Sequence, residues 1–533
     1  MERLSRDVVV VGSGAAGLRA AIAVREAGFG ACMISKGHPG TGTATILSGG
    51  VLRGAIGGGT SEEHWERTLE AGRGINQEDL VEALVTDAPK RLGEIQEWGM
   101  HAVPQRGFLY SEGRPPVWGE QLVDCLLAKA ASMGVELMGG AMVGKIVMRE
   151  GAGGLSVHTR KGARGILVTC RALILAAGGA GALFLRHDNP QRILGDGYAL
   201  ALEAGAQLQD MEFVQFYPLG LAEPGIPPFL VHPRLADKGR LVNGHGEEIL
   251  SKYGIHERPA GERARDRLSQ ALFQEIHREG DEVWLDLREV SEAGWAKDPL
   301  SASIREILGE RYGARRRPLR VAPMAHHVMG GVSIDPWGAT SVPGLFAAGE
   351  VVGGLHGANR LGGNALTEAL VFGARAGERA ASWAREASTG TEGEMAEAFG
   401  APVPQTGAGI PRGRLLRLRQ DLREVMWKEG GVLRNRSGLI RATETVEEIL
   451  AEASEGHRQG DPKDAQSVLD LRFGSRTALL ILRAALQREE SRGAHFREDF
   501  PSQDDERWRG HLLVRLSPEG NEEWCFDPVS AST

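Results

Sequence analysis

The chain has 533 residues, with 62 Lys and Arg against 70 Asp and Glu for a formal charge of −8, 42% hydrophobic residues and 74 glycines. That length makes about two to four domains of ordinary globular composition, and the mild acidity excludes the concentrated basic surface that a nucleic-acid partner needs. No apolar stretch reaches the roughly 18 residues that would span a bilayer, and the glycine has no Gly-X-Y period, which excludes a collagen.

In chain order, Met1–Val11 carries charge and then four valines, Val8–Val11. The apolar run stops at Gly12, short of the roughly 7–15 residues of a secretory h-region, so a cytoplasmic protein is expected. The same segment reads as a β-branched strand entering a glycine turn, Gly12-Ser13-Gly14-Ala15-Ala16-Gly17, and then a helix with apolar positions at Leu18, Ile22 and Val24, closing at Gly28. Gly12, Gly14 and Gly17 have the spacing of a dinucleotide fingerprint. The first makes the turn, the second admits a pyrophosphate to the backbone, and the third lets helix pack on strand. The free N–H groups and dipole of the helix N-terminus favour that anion.

A second strand, Ala31–Ser35, ends in Ser35-Lys36 rather than in the carboxylate that binds a ribose hydroxyl, which weakens a plain NAD reading. The run from Arg171 (RALILAAGGAGALF) and the run Val342–Gly354 (VPGLFAAGEVVGG) repeat the strand-to-glycine pattern far downstream, the latter carrying Glu350. Together they predict one α/β cofactor domain assembled from distant segments. The basic run Arg315–Arg317 with Arg320 fits a solvated or ion-paired face. Cys32, Cys125, Cys170 and Cys525 are too scattered to hold an iron–sulfur cluster or a structural zinc.

Four segments resemble one family. They are the run from Gly195 (GDGYALALEAGAQLQDMEFVQFYP), the run from Arg265 (RDRLSQALFQEI), Ala325–Asp335 (AHHVMGGVSID) and the run from His356 (HGANRLGGNAL). The run LREVMWKEGGVLRN and the later LRAALQREESRGAHFREDFPSQDDERW match as well. The chain is similar throughout its length to the flavoprotein subunits of fumarate reductase and succinate dehydrogenase, a family that includes L-aspartate oxidase.

The resemblance implies an α/β fold: a Rossmann-type FAD-binding domain over 1–221 and 326–384, interrupted by an α+β capping domain over 222–325. A linker over 385–413 and a helical domain with a C-terminal tail over 414–533 follow. It implies FAD, rather than NAD, at Gly12, Ser13, Gly14, Ala15, Ala16, Gly17, Ser35, Lys36, Thr43, Gly49, Gly50, Asp196, Glu350, Ala365 and Leu366. Hydride would pass between flavin N5 and a carbon–carbon bond beside a carboxylate. Arg265 would transfer the proton, and His326, Arg360 and Tyr217 would bind the substrate; His327 is expected to be structural. With no cluster cysteines here, electrons would come through an iron–sulfur or other electron-transfer subunit, with the chain at most peripheral to a membrane.

Three departures bear on chemistry. Thr43 stands where the complex enzymes attach FAD through a histidine, so FAD is expected to be noncovalent; His38 lies five residues too early. Lower flavin potential would favour reduction of an alkene, or electron transfer to oxygen, over succinate oxidation. Tyr217, followed by Pro218-Leu219, replaces a histidine that grips the distal carboxylate, and it reads equally as a substrate contact or as a packed wall aromatic. Val231-His232 falls on a Thr-Glu pair. The expected function is therefore reduction of a fumarate-like substrate, with L-aspartate oxidation or a flavin-binding scaffold with a vestigial pocket as alternatives.

Overall fold

The structure is a computed structural model that describes residues 2–114, 117–159, 165–225, 229–296, 299–387, 399, 409–459 and 465–529. The valine run becomes the strand Glu2–Val11, with Val8–Val11 buried against both neighbours, as a strand covered on both faces requires. It pairs in parallel with Ala31–Ser35 on one side and Ile166–Leu175 on the other; Glu136–Gly139 extends the sheet beyond Ala31–Ser35. The far edge of Ile166–Leu175 is shared. Its first half pairs antiparallel with Ala152–Thr159, and its last three residues pair in parallel with Leu345–Ala347. A strand from near residue 345 thus enters the sheet begun at residue 2, and the carboxyl ends of the parallel strands open on one crevice, the usual ligand position in such sheets.

Gly12 sits at φ +114°, and a Cβ there would lie 2.0 Å from the Ala176 carbonyl oxygen, so the turn admits no side chain. The helix Ala15–Glu26 that follows is buried along most of its length and packs on the long helix Asn364–Glu386.

A second sheet has the antiparallel order Val214–Leu221, Leu319–Val328, Val283–Asp286, Arg240–Asn243. The helix Arg265–His277 packs on it, over a separate core that includes Leu219, Val231, Leu241, Leu268, Leu285 and Val321. The expected boundary at 221/222 falls at a strand end, and that at 325/326 falls within a strand. Register shifts follow Gln215 and Tyr217; bulges of this kind re-aim side chains, and both residues reach the site described below.

Three helices, Arg412–Lys428, Arg436–Gln459 and Ala465–Gln487, form the C-terminal layer. The tail is not helical: Gly510–Leu516 and Glu522–Pro528 form a hairpin that pairs with Leu208–Gln209. Its strand partner lies some three hundred residues upstream, which hydrophobic period alone does not reveal. Buried charges tie this layer to the segment entering the second sheet. Arg488 bonds Glu212 and Glu490, Arg434 donates to the Glu212 carbonyl oxygen at 2.7 Å, and His511 meets Asp210 at 2.5 Å. Arg488 and His511 are paired with carboxylates, as burial demands, while Arg434 is held by backbone carbonyl oxygens and His495.

Candidate functional site

One cavity of about 1170 Å³ runs from the glycine turn to the second sheet. Among the described residues it is bordered by Gly12–Ala16, Ser35, Lys36, Thr43, Gly49, Gly50, Asp196, Glu350, Ala365 and Leu366 at one end, and by Tyr217, Arg265, His326 and Arg360 at the other. Of the expected site residues only Gly17 stands behind the wall. A Cβ there would sit 2.1 Å from the Gly12 carbonyl oxygen, so its task is the packing of helix against turn.

The turn end is shaped by backbone and small hydroxyls. Ser13 Oγ lies 2.8 Å from Ser35 Oγ and accepts from the Gly40 N–H, while Thr45 Oγ1 accepts from the Ala15 N–H at 3.1 Å. Gly14 is in an ordinary backbone region (φ −77°), and a Cβ on it would meet nothing nearer than Thr45 Oγ1 at 3.4 Å. A Cβ on Gly49 would meet nothing within 4 Å. Neither glycine is required by the chain itself, and both face the cavity, so the site is shaped for a group lying against the backbone. An extended dinucleotide with its pyrophosphate on the helix N-terminus fits that cradle.

Lys36 and Asp196 meet each other: Lys36 Nζ donates to Asp196 Oδ1 at 2.8 Å, to the Arg192 carbonyl oxygen at 2.7 Å and to Asp470 Oδ1 at 3.3 Å. Burial opposes the ammonium charge, and the two carboxylates outweigh it. Lys36 thereby joins the end of the second strand to the helix Ala465–Gln487. Glu350 is largely but not fully buried, with Oε1 accepting from the Val328 N–H at 3.1 Å. Burial pushes its carboxyl up to about 8, against a smaller opposing pull from that N–H and from Arg360.

At the other end, the loop His356–Asn364 is held at both ends. His356 Nε2 lies 2.9 Å from Glu368 Oε2, and His64 Nε2 lies 2.9 Å from Asn364 Oδ1. Gln215 clamps the middle, donating to Asn359 Oδ1 at 2.7 Å and to the Arg360 carbonyl oxygen at 3.0 Å, and accepting from Arg360 Nη2 at 3.0 Å. Arg360 is buried, faces no carboxylate within ion-pair distance among the described residues, and leaves Nε without a hydrogen-bond partner. Burial, then the nearby Arg265, pull its guanidinium down to about 10, so it remains cationic at neutral pH. A buried cation of this kind requires an anion.

Arg265 begins the helix Arg265–His277, with Nη2 3.8 Å from where a Cβ on Gly362 would sit. Its guanidinium carbon lies 5.3 Å from the centre of the Tyr217 ring, and that ring stands 5.4 Å from the His326 ring. His326 Nδ1 is held 2.6 Å from Asp188 Oδ2, which orients the ring. The Tyr217 hydroxyl donates to the Val231 carbonyl oxygen at 3.1 Å. His327 is buried and held neutral by desolvation, with Nδ1 3.7 Å from Glu350. Thr43 borders the cavity and donates to the Gly40 carbonyl oxygen at 3.1 Å.

Two comparisons decide the family. The FAD binding domain family matches residues 7–366, and the fumarate reductase flavoprotein C-terminal family matches residues 419–533. The chain belongs to the FAD-dependent flavoproteins of the fumarate reductase and succinate dehydrogenase family. It is 34% identical to a fumarate reductase (CoM/CoB) subunit of Methanothermobacter marburgensis, over 96% of this chain and 97% of that one. It is 33% identical to the L-aspartate oxidase of Streptomyces coelicolor, over 97% and 92%. Among solved structures, E. coli quinol fumarate reductase FrdA superposes with a TM-score of 0.86 at 28% identity, covering 100% of this chain and 98% of that one.

FAD is therefore the cofactor, and the chain is a flavoprotein oxidoreductase. Among the described residues no helix is long and apolar enough to cross a membrane.

Asp188, Trp118 and Phe229 also border the cavity and were not singled out in the sequence. Asp188 follows a buried strand and a glycine turn, as Glu350 does, and that recurring context was its one available signal. Trp118 had none.

Proposed function

We propose that this flavoprotein reduces the carbon–carbon double bond of a carboxylate substrate, with Arg360 and His326 holding the carboxylate and Arg265 supplying a proton. What supports this most is a single observation: the buried Arg360 guanidinium, with Nε unpartnered, lies beside Arg265 and His326 in the cavity that also contains the flavin cradle.

Flavin supplies the hydride equivalent. The rest of the work falls to the chain. Arg360 presents a planar fork to two carboxylate oxygens, kept in place by Gln215. As negative charge spreads onto that carboxylate during reduction, the already oriented guanidinium stabilises it without rearrangement. Asp188 fixes His326 with Nε2 directed away from the carboxylate partner. Residues 222–325 act as a cap that carries Arg265 onto the substrate and excludes water on closing.

FAD is held noncovalently, since Thr43 offers no ring nitrogen for a flavin bond. A separate iron–sulfur or other electron-transfer subunit delivers the electrons, and the chain is cytoplasmic or peripheral to a membrane through that subunit.

The test is acid precipitation followed by anaerobic turnover. The flavin is expected in the supernatant, and oxidation of a reduced viologen dye is expected to depend on an added enoate. Flavin left in the pellet would sink the noncovalent assignment, and no turnover with any enoate would sink the reaction. The similarity to L-aspartate oxidase supports a second reading, amine oxidation at the same carboxylate anchor. Peroxide release from L-aspartate in air, without enoate turnover, would select it.

A further inference from the structure

We propose that the substrate is an α,β-unsaturated monocarboxylate with an apolar far end, an aryl or alkyl group, in place of a second carboxylate. This rests on the enoate chemistry proposed above and specifies what lies beyond the carboxylate.

The proposed carboxylate anchor is Arg360. The other buried arginine of the wall, Arg53, lies 3.6 Å from Glu63 and over the Phe108 ring. Arg360 is a buried cation with an unused donor and no carboxylate in ion-pair distance among the described residues, and Arg265 and His326 border the same cavity. The wall leading away from them is aromatic. Tyr217 turns its hydroxyl to the Val231 carbonyl oxygen and so contributes its ring. Trp118 and Phe229 follow, with ring centres 6.5 Å apart, and both are buried while bordering the cavity, as does Ile304. Trp118 comes from the segment after the strand Phe108–Ser111, on the cofactor side, yet it packs into the core of the second sheet. The wall is therefore continuous across both parts of the site.

A carboxylate placed against these rings would lose its hydration without gaining a donor from them, whereas an apolar group gains contact area and offset ring packing. The half-buried His232 also borders the cavity, as a single neighbouring polar group rather than a second guanidinium fork. Arg234 and Arg263 also border the cavity, but both are exposed. A charge pair there is screened by water and contributes little compared with one at Arg360.

The reaction balances as a two-electron reduction. Bound reduced flavin would supply the hydride that forms the C–H bond at the β-carbon, and the C=C π pair would move to the α-carbon, where Arg265 delivers the proton. Arg265 regains its proton from water, the product is the saturated acid, and the oxidised flavin is reduced again by the electron donor.

The flavin-loaded protein is titrated calorimetrically with 3-phenylpropionate and with succinate, saturated acids that bind without being reduced. The former is expected to bind at least about tenfold tighter. Anaerobically, with reduced methyl viologen, kcat/KM for cinnamate and crotonate is expected to exceed that for fumarate by a similar factor. Trp118→Ala should weaken 3-phenylpropionate about tenfold while moving succinate less than about threefold. If Trp118→Ala does not fold, Trp118→Leu, with a smaller apolar side chain, is expected to shift the two ligands in the same direction. Tighter succinate binding, preferred turnover of fumarate, or equal effects of the Trp118 variants on both ligands overturns the inference and leaves enoate reduction standing. Turnover of none of the three enoates overturns enoate reduction itself, and this inference with it.

Discussion

The two ends of the cavity are built from different materials. At the glycine turn the chain presents backbone: Gly12 has a left-handed φ, Gly17 has no room for a Cβ, and Gly14 and Gly49 have room that the fold leaves open. At the other end the chain presents side chains from five distant segments, Asp188, Gln215 with Tyr217, Arg265, His326 and Arg360, which orient one another in pairs. A backbone-built end tolerates few residue types at its closed positions. A side-chain-built end keeps its geometry while single residues redefine what it accepts. The difference teaches where a change should abolish function and where it should redirect it.

The largest expected effect is at the buried cation. Arg360→Ala removes the fork proposed to face the carboxylate and leaves Gln215 Oε1 without its guanidinium donor, while touching no part of the glycine cradle. Truncating one member of a buried charge pair costs about 3–5 kcal/mol, so kcat/KM should fall by about 10²–10⁴, with flavin content retained. Arg360→Lys should recover little, because a point charge cannot replace the planar fork. Loss of flavin together with activity would mean that the two ends are not separable.

The smaller effect on the other end has the opposite signature. Gly14→Val adds a branched side chain to open cavity rather than to packed chain, the nearest atom to its Cβ being Thr45 Oγ1 at 3.4 Å. The apoprotein should therefore melt within a few degrees of the parent, a shift of about 1 kcal/mol or less, while FAD binds at least about tenfold more weakly. Equilibrium dialysis against FAD, with a melting curve of the stripped protein, distinguishes this from misfolding. Unchanged FAD affinity would show that Gly14 is not where the backbone meets the cofactor.

The same contrast explains what was legible in the sequence. The turn could be read directly, because a φ of +114° at Gly12 and a closed approach at Gly17 each demand one residue type at a fixed spacing. The sheet's parallel run, the discontinuous return near Leu345 and FAD as the cofactor followed from strand-to-glycine patterns and family motifs. Asp188 beside His326, and Trp118 in the wall next to Phe229, could not be read in this way. Each acts through a partner more than a hundred residues distant, and nothing local in the chain marks the pairing. Tyr217 was open to two readings, contact or wall, and its hydroxyl bond to Val231 favours the wall. The terminal hairpin was missed for the same reason, since its partner strand is the short Leu208–Gln209.

Glu350 lies between the two ends, and its expected effect is visible only as a pH dependence. Burial raises its carboxyl to about 8 in the folded chain, against about 4.5 for an ordinary glutamate. Below about pH 4.5 both folded and unfolded chains hold the proton, and the group favours neither. Between about 4.5 and 8 the folded chain holds it and the unfolded chain releases it, so stability falls as pH rises through that window. Above about 8 both have released it, and the loss is complete. Glu350→Gln keeps an oxygen that can accept from the Val328 N–H but has no proton to lose. The melting temperature of this variant should therefore change less than that of the parent protein between pH 5 and 8, with the gap between them moving in favour of the variant as pH rises. Neighbouring His327 is held neutral by burial and remains so across this range, so it adds no opposing slope. A parent protein whose melting temperature rises over that window by the same amount as the variant's would mean that Glu350 is ionised in the fold, paired with Arg360 rather than protonated beside it.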